Sequence, residues 1–212
     1  MSEKMKLLIG ASDNKMQYVK KFSEYLEKFN VNSKVVLDVE ICNGFPSKNI
    51  TQWISPFKKF NLLIESFKPD AVFVDRQTQF GIAAIKAKIP LLMQLRGNYW
   101  DEIDWAKKNG SIKNKIILSI KEKIAEDCFK GSKMILPFSN HLAEISKKKY
   151  PNKKIEVFYD GLEIKDWYKD EPMNFKHPCV GLLQNASIWK KAQEMISLKS
   201  ILEKFPNVTF YW

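Results

Sequence analysis

A chain of 212 residues can bury one substantial core, but two complete domains of about 100–200 residues each would be cramped. Apolar residues at 45% and charged residues at 28% make an ordinary globular mix that excludes a disordered chain, and no stretch approaches the ~18–20 apolar residues of a bilayer span. Lys plus Arg number 35 against 24 Asp plus Glu, a net charge of +11 that favours anionic partners, with part of the excess in runs such as Lys147-Lys148-Lys149 that read as solvated faces.

Lys6-Leu7-Leu8-Ile9-Gly10 is a short apolar run closed by glycine and reads as a buried first strand. Val19, Phe22, Leu26 and Phe29 then recur at helical spacing on one face. Residues Lys34 to Ile41 are rich in β-branched side chains and predict strand two. Phe57, Phe60, Ile64 and Phe67 repeat the helical stripe, and Lys68-Pro69 ends it before a third strand over Asp70 to Asp75. Phe80 to Ala87 predicts a compact helix, Pro90 to Leu95 strand four, Ile112 to Phe129 a longer helix, and Lys133 to Pro137 strand five. Ser139 is placed to cap a helix running to Tyr150, and Lys154 to Phe158 predicts strand six.

Strands alternating with helices at this spacing imply βαβ units, hence an α/β fold with a doubly wound parallel sheet, a Rossmann-like domain. We expect this domain over residues 1–165 and a polar linker over 166–176. A second, incomplete Rossmann-like β-α-β segment follows over 177–212, built from strands near Pro178–Leu183 and Val208–Trp212 around a helix from Trp189 to Lys204. Ending within such a segment, the chain reads as truncated. Three dispersed cysteines with no CxxC pair, and no signal-like segment, point to reduced thiols in the cytoplasm. Two histidines without a partner at helical spacing argue against a zinc site, and neither metal nor cofactor is expected.

In a doubly wound sheet, ligands sit beyond the carboxyl ends of the strands, near a switch in strand order. That rule nominates the turns after Gly10-Ala11, after Asp75, after Leu95 and after Pro137. No G-x-G-x-x-G or G-x-x-x-x-G-K-[ST] spacing is present, which removes the dinucleotide fingerprint and the P-loop. The segment Gln94 to Glu102 carries the most chemistry, since it sets Arg96, Gly97, Asn98, Trp100, Asp101 and Glu102 directly after a buried strand. Arg96 suits two-pronged binding of phosphate or carboxylate, Trp100 offers a wall for a sugar or base, and Asp101 or Glu102 can accept a hydroxyl proton. The competing reading pairs Arg96 with Asp101 or Glu102 and packs Trp100 in the core. Asp75 and Arg76 after strand three, and Ser139 and His141 after strand five, are further binding candidates, each also explicable as a capping turn or a surface residue.

Four segments together resemble family 4 glycosyltransferases of the GT-B fold. Phe67-Lys68-Pro69-Asp70-Ala71-Val72-Phe73 is similar to the "xxPDVV" strand entry of their N-terminal domains, and Gly131 to Leu142 resembles their "ADxIIxxSxxL" segment. Lys154 to Leu162 is similar to "KVxVIxNGVD", and Cys179 to Leu183 with Pro206 to Phe210 resembles the opening of their nucleotide-binding domain. The resemblance implies a metal-independent enzyme that moves a sugar from a nucleotide-sugar donor to a hydroxyl acceptor. It places Arg96 where the family often has histidine, and Asn185 with Lys190 or Lys191 where the family's Arg and Lys hold the donor diphosphate. The family's later "Ex7E" segment has no counterpart, so weak or no turnover is expected of this chain alone. The lysine excess suits a lipid-linked or anionic acceptor and peripheral contact with the inner membrane face. The rival reading is a non-catalytic α/β module that docks a partner through its last strand. A nucleic-acid reader lacks any recognisable motif.

Overall fold

The structure is a computed structural model that describes residues 5–11, 15–29, 31–37, 56–161, 174–181, 196 and 198–211. It divides into two compact units, Met1–Gly161 and Leu162–Trp212.

In the first unit the elements run β1 (Met5–Ala11), α1 (Met16–Glu27), β2 (Val31–Leu37), α2 (Pro56–Phe67), β3 (Ala71–Val74), α3 (Gln79–Lys86) and β4 (Leu91–Leu95). They continue with α4 (Tyr99–Asn109), α5 (Ile112–Gly131), β5 (Met134–Pro137), α6 (Asn140–Lys149) and β6 (Lys154–Ile155). The strands form one six-stranded parallel sheet in the order β2-β1-β3-β4-β5-β6. The expected doubly wound α/β fold is therefore observed. The order reverses between β1 and β3, and that is the switch point.

Pairing register explains why nearly every residue of β1, β3, β4 and β5 is apolar. Leu8, Val72 and Leu91 align across β1, β3 and β4, as do Ile9, Phe73 and Leu92 one position on. Successive residues point to opposite faces, and both faces are covered, so neither row can be polar. The first row meets α2, α3 and α5 in a core where Phe60 and Phe80 stack with centroids 4.3 Å apart. The second row meets α1, whose Phe22 lies 5.6 Å from Phe73 and 5.7 Å from Phe158. Each fully buried aromatic of this kind contributes about 1.5–3 kcal/mol.

Several sequence expectations shift. Helix α1 ends at Glu27, so Phe29 falls past its end and is 76% exposed instead of continuing the stripe. Strand β2 starts earlier than expected, at Val31, and its register is set by pairing along all of β1. Strand β6 shrinks to two residues, although Glu156 and Phe158 still donate backbone hydrogen bonds to Ile135 and Pro137, so the chain follows β5 up to the site. The Gln94–Glu102 segment divides into the end of β4, a short turn and the first turn of a helix. Only Arg96–Asn98 lie between elements, and helix α4 begins at Tyr99.

In the second unit, β7 (Cys179–Gly181) and β8 (Thr209–Tyr211) pair in parallel, with α7 (Lys199–Lys204) between them in the chain. Most of the helix expected from Trp189 lies outside the described residues.

Candidate functional site

Beyond the carboxyl ends of β3 and β4 lies a cleft of about 520 Å³. Asp75 to Gln79 form one wall, Gln94 to Gly97 the floor, and α4 and α5 close it with Tyr99, Glu102, Leu118 and Lys121. One of the strands it caps, β3, pairs with β1 at the switch point.

The floor is built by a polar interruption in a buried strand. Gln94 is fully buried in β4, aligned with Leu136 of β5 on the α1 side of the sheet. Its side-chain amide donates to Asp160 Oδ1 at 3.1 Å. Two residues on, and so on the same side, Arg96 Nη1 ion-pairs with Asp160 Oδ2, and its guanidinium lies 5.0 Å from the centre of the Tyr18 ring. Both oxygens of Asp160 are thus engaged, and Arg96 is fixed between a carboxylate and an aromatic face. Burial and the Asp160 carboxylate push the Tyr18 phenol up to about 12, against the lowering effect of Arg96.

Arg96 Nε and Nη2, Gln94 Oε1, Gln79 Oε1 and the Tyr99 hydroxyl are buried without a hydrogen-bond partner among the described residues. Each such atom costs about 1–3 kcal/mol while it stays unmet. All belong to residues that line the one cleft. They comprise guanidinium N–H donors, two amide acceptors and a hydroxyl, a set that suits a ligand with both oxyanions and hydroxyl groups.

Charge is placed for the same purpose. Lys121 on α5 and Arg76 after β3 share the cleft, and burial with the Arg76 charge lowers the Lys121 pKa. An anion between them would relieve that repulsion. Helix α3 starts at the cleft with Gln79, so the positive end of its dipole adds to the same potential. Glu102 supplies an acceptor of protons, and it sits close to the backbone because position 97 is glycine. A Cβ there would stand 2.7 Å from Glu102 Oε1.

The structure brings together Asp75, Arg76, Arg96, Gly97 and Glu102 of the residues singled out in the sequence. It separates the others from the cleft lining. Asn98 caps α4, its Oδ1 accepting from the Asp101 amide at 3.4 Å while its Nδ2 donates to Asp101 Oδ2 at 2.6 Å. Asp101 is thus engaged in the cap. Trp100 stacks on Phe129 with centroids 5.0 Å apart, beside Tyr150, with Lys149 Nζ 5.1 Å above its ring. Ser139 caps α6 by accepting from the Leu142 amide at 3.3 Å, and His141 is exposed. Gly10 and Ala11 are buried at the end of β1, and the turn after them lies outside the described residues, as do Asn185, Lys190 and Lys191. Tyr18, Gln79, Lys121 and Asp160 carry no local signal in the sequence that sets them apart, whereas Gln94 does, as a glutamine within an apolar strand.

No protein-family model matches the chain, and no curated protein matches it. Among solved structures, UDP-N-acetylglucosamine 2-epimerase from Rickettsia bellii is similar with a TM-score of 0.48 and 14% identity, over 69% of this chain and 42% of that one. UDP-GlcNAc 2-epimerase from Methanocaldococcus jannaschii is similar with a TM-score of 0.46 and 18% identity, over 72% and 45%. The chain spans less than half the length of either structure. The α/β assignment rests on the sheet order and register described above.

Proposed function

We propose that the chain is the acceptor-side part of a nucleotide-sugar-dependent glycosyltransferase of the two-domain GT-B type, acting without a metal. The observation that supports it is that Gln94 and Arg96, both bonded to Asp160, form the floor of a cleft that also holds Glu102, Arg76 and Lys121. The four segments resembling family 4 glycosyltransferases agree with that location, because two of them, ending at Phe73 and spanning Asp160, lead into the site.

On this reading a hydroxyl acceptor enters the cleft and the sugar end of the donor meets it over Arg96. The acceptor oxygen bonds to the anomeric carbon as the bond from that carbon to the diphosphate oxygen breaks. Glu102 takes the hydroxyl proton, and the nucleoside diphosphate leaves with the bonding electron pair. Arg96 holds a sugar or acceptor oxygen through Nε and Nη2, while Arg76, Lys121 and the start of α3 stabilise negative charge.

The test is acceptor-dependent release of UDP or GDP from nucleotide sugars, by this chain or a longer one containing it. Arg96→Ala and Glu102→Gln are expected to lower the rate by about 10²-fold or more. Asp101→Asn, at the helix cap, should leave it within about threefold while lowering stability by about 0.5–2 kcal/mol. Nucleotide sugars left intact, or a Glu102→Gln rate equal to that of the wild type, would refute the assignment.

A further inference from the structure

The cleft is divided by chemistry. Its floor and the turn after β3 contribute most of its polar groups, whereas α4 and α5 contribute mostly apolar ones. On α4, Tyr99, Ile103 and Ala106 recur at spacings of four and three, and on α5 Leu118, Lys121 and Ile124 recur every third residue. Such spacing sets each group along one side of its helix, so each helix turns a single face to the cleft. An ion pair between Lys107 of α4 and Glu122 of α5 ties the two helices into one wall.

The wall is dry as well as apolar. Burial is the first cause of the lowered Lys121 pKa and of the raised Tyr99 pKa, so both groups lie where water is scarce. An apolar group that covers such a wall gains by the area it removes from water. A polyol body gains less, because its hydroxyls would face Ile103, Leu118 and Ile124 without partners. Glu102 stands at the boundary. Its carboxylate lies beside the backbone of Gly97 on the floor, and Ile103 and Ala106 follow it along the α4 face. A hydroxyl that gives its proton to Glu102 then has the reacting sugar on its floor side and its own carbon body on the wall side.

We propose that the acceptor is an alcohol or phenol with a compact apolar body, about one or two rings, seated between α4 and α5 with its hydroxyl at Glu102. Pockets of about 300–1,000 Å³ enclose drug-sized molecules. Here about 520 Å³ is shared with the sugar, which favours a compact body over an extended chain. Such an acceptor departs from the lipid-linked or anionic one that the lysine excess suits. Its role as an acceptor rests on the transfer reading above, whereas the binding of an apolar body does not.

The experiment follows the methyl signals of the whole chain by nuclear magnetic resonance while 1-naphthol, 1-octanol or glycerol is titrated in. 1-Naphthol is expected to give saturable shifts at Ile103, Leu118 and Ile124, and to bind about threefold or more tightly than the flexible 1-octanol, with glycerol giving none. Ala106→Phe, which fills the groove, and Leu118→Ser, which makes part of the wall polar, should each weaken 1-naphthol by about fivefold or more. Circular-dichroism melts check that both variants fold, and either one alone suffices for the comparison. UDP- and GDP-sugars are then added to the same samples. Shifts at Arg96 without 1-naphthol binding would overturn this proposal and leave the transfer reading standing. 1-Naphthol binding without them would refute the transfer reading while the apolar site stands. The proposal also falls if glycerol matches 1-naphthol, if 1-octanol binds more tightly, or if the folded variants keep the wild-type affinity.

Discussion

Arg96, at the floor of the cleft, and Asp160 sit 64 positions apart in the chain, and their paired side chains are 19% and 25% exposed. Removing the carboxylate would strand a guanidinium with little water to replace its partner. Asp160→Asn is therefore expected to cost about 1–3 kcal/mol in urea unfolding, above the value of an exposed pair. A loss under ~0.5 kcal/mol would place the pair in solvent. Tyr99 gives the opposite sign. Its hydroxyl has no partner among the described residues, so Tyr99→Phe should be neutral or stabilising by up to about 1 kcal/mol in a thermal melt. If ligand affinity falls in the same variant, the hydroxyl serves the cleft. Tyr18 sets an alkaline limit. Burial and Asp160 raise its phenol from 10.0 to about 12, so the folded state holds that proton more tightly than the unfolded chain does. Its contribution is whole below pH 10 and is lost as pH rises toward 12, and Tyr18→Phe should flatten the fall of melting temperature across that window. In the sequence Arg96 stands out as a guanidinium directly after a buried strand. Its partner does not, because no local rule links residues so far apart, and Asp160 by itself reads as part of a polar connection.

Helices α3 and α5 pack where Gly131 closes α5. A Cβ at that position would lie 2.4 Å from Ile85 Cδ1 and 2.9 Å from Cγ1, and the isoleucine has its own core contacts to keep. Gly131→Ala should destabilise the chain by about 1–3 kcal/mol through overpacking, read from the denaturation midpoint. The end of α3 holds a reserve of stability. Lys88 has φ 59° there, in the left-handed region, with its amide bonded to Ile85 O and that of Ile89 to Ala84 O. This is a Schellman termination, which favours glycine, so Lys88→Gly is expected to raise stability by about 0.5–1 kcal/mol. Most strands and helices were legible because apolar runs and helical spacing are local signals. Helix α4 was hidden by Gly97-Asn98, which resembles a loop. The residues that reveal it are Asn98 as cap, Asp101 and Glu102 in the first turn, and Lys107 and Lys108 in the last, a charge arrangement matched to the helix dipole.

Across the whole molecule, alternation of strands and helices identified the α/β class, but strand order lay beyond it. Only the observed pairing of β1 with both β2 and β3 locates the switch point, and only the pairing of β3 with β4 shows why the turns after those two strands share one cleft. Trp100 shows the corresponding limit for sites, since an aromatic beside a binding loop and an aromatic in a core stack carry the same sequence signature. The central claim, that this cleft handles a nucleotide sugar, is tested most directly by nuclear magnetic resonance. UDP- and GDP-sugars would be titrated to about 10 mM, enough to saturate even a millimolar site, while the Arg Nε–H and Gln side-chain amide signals are followed. The account predicts saturable shifts at Arg96, Gln94 and Gln79 for at least one nucleotide sugar, with Arg96→Ala abolishing them at the two glutamines. No shift at these residues with any nucleotide sugar, in a chain that melts cooperatively, would contradict it and favour a non-catalytic binding module.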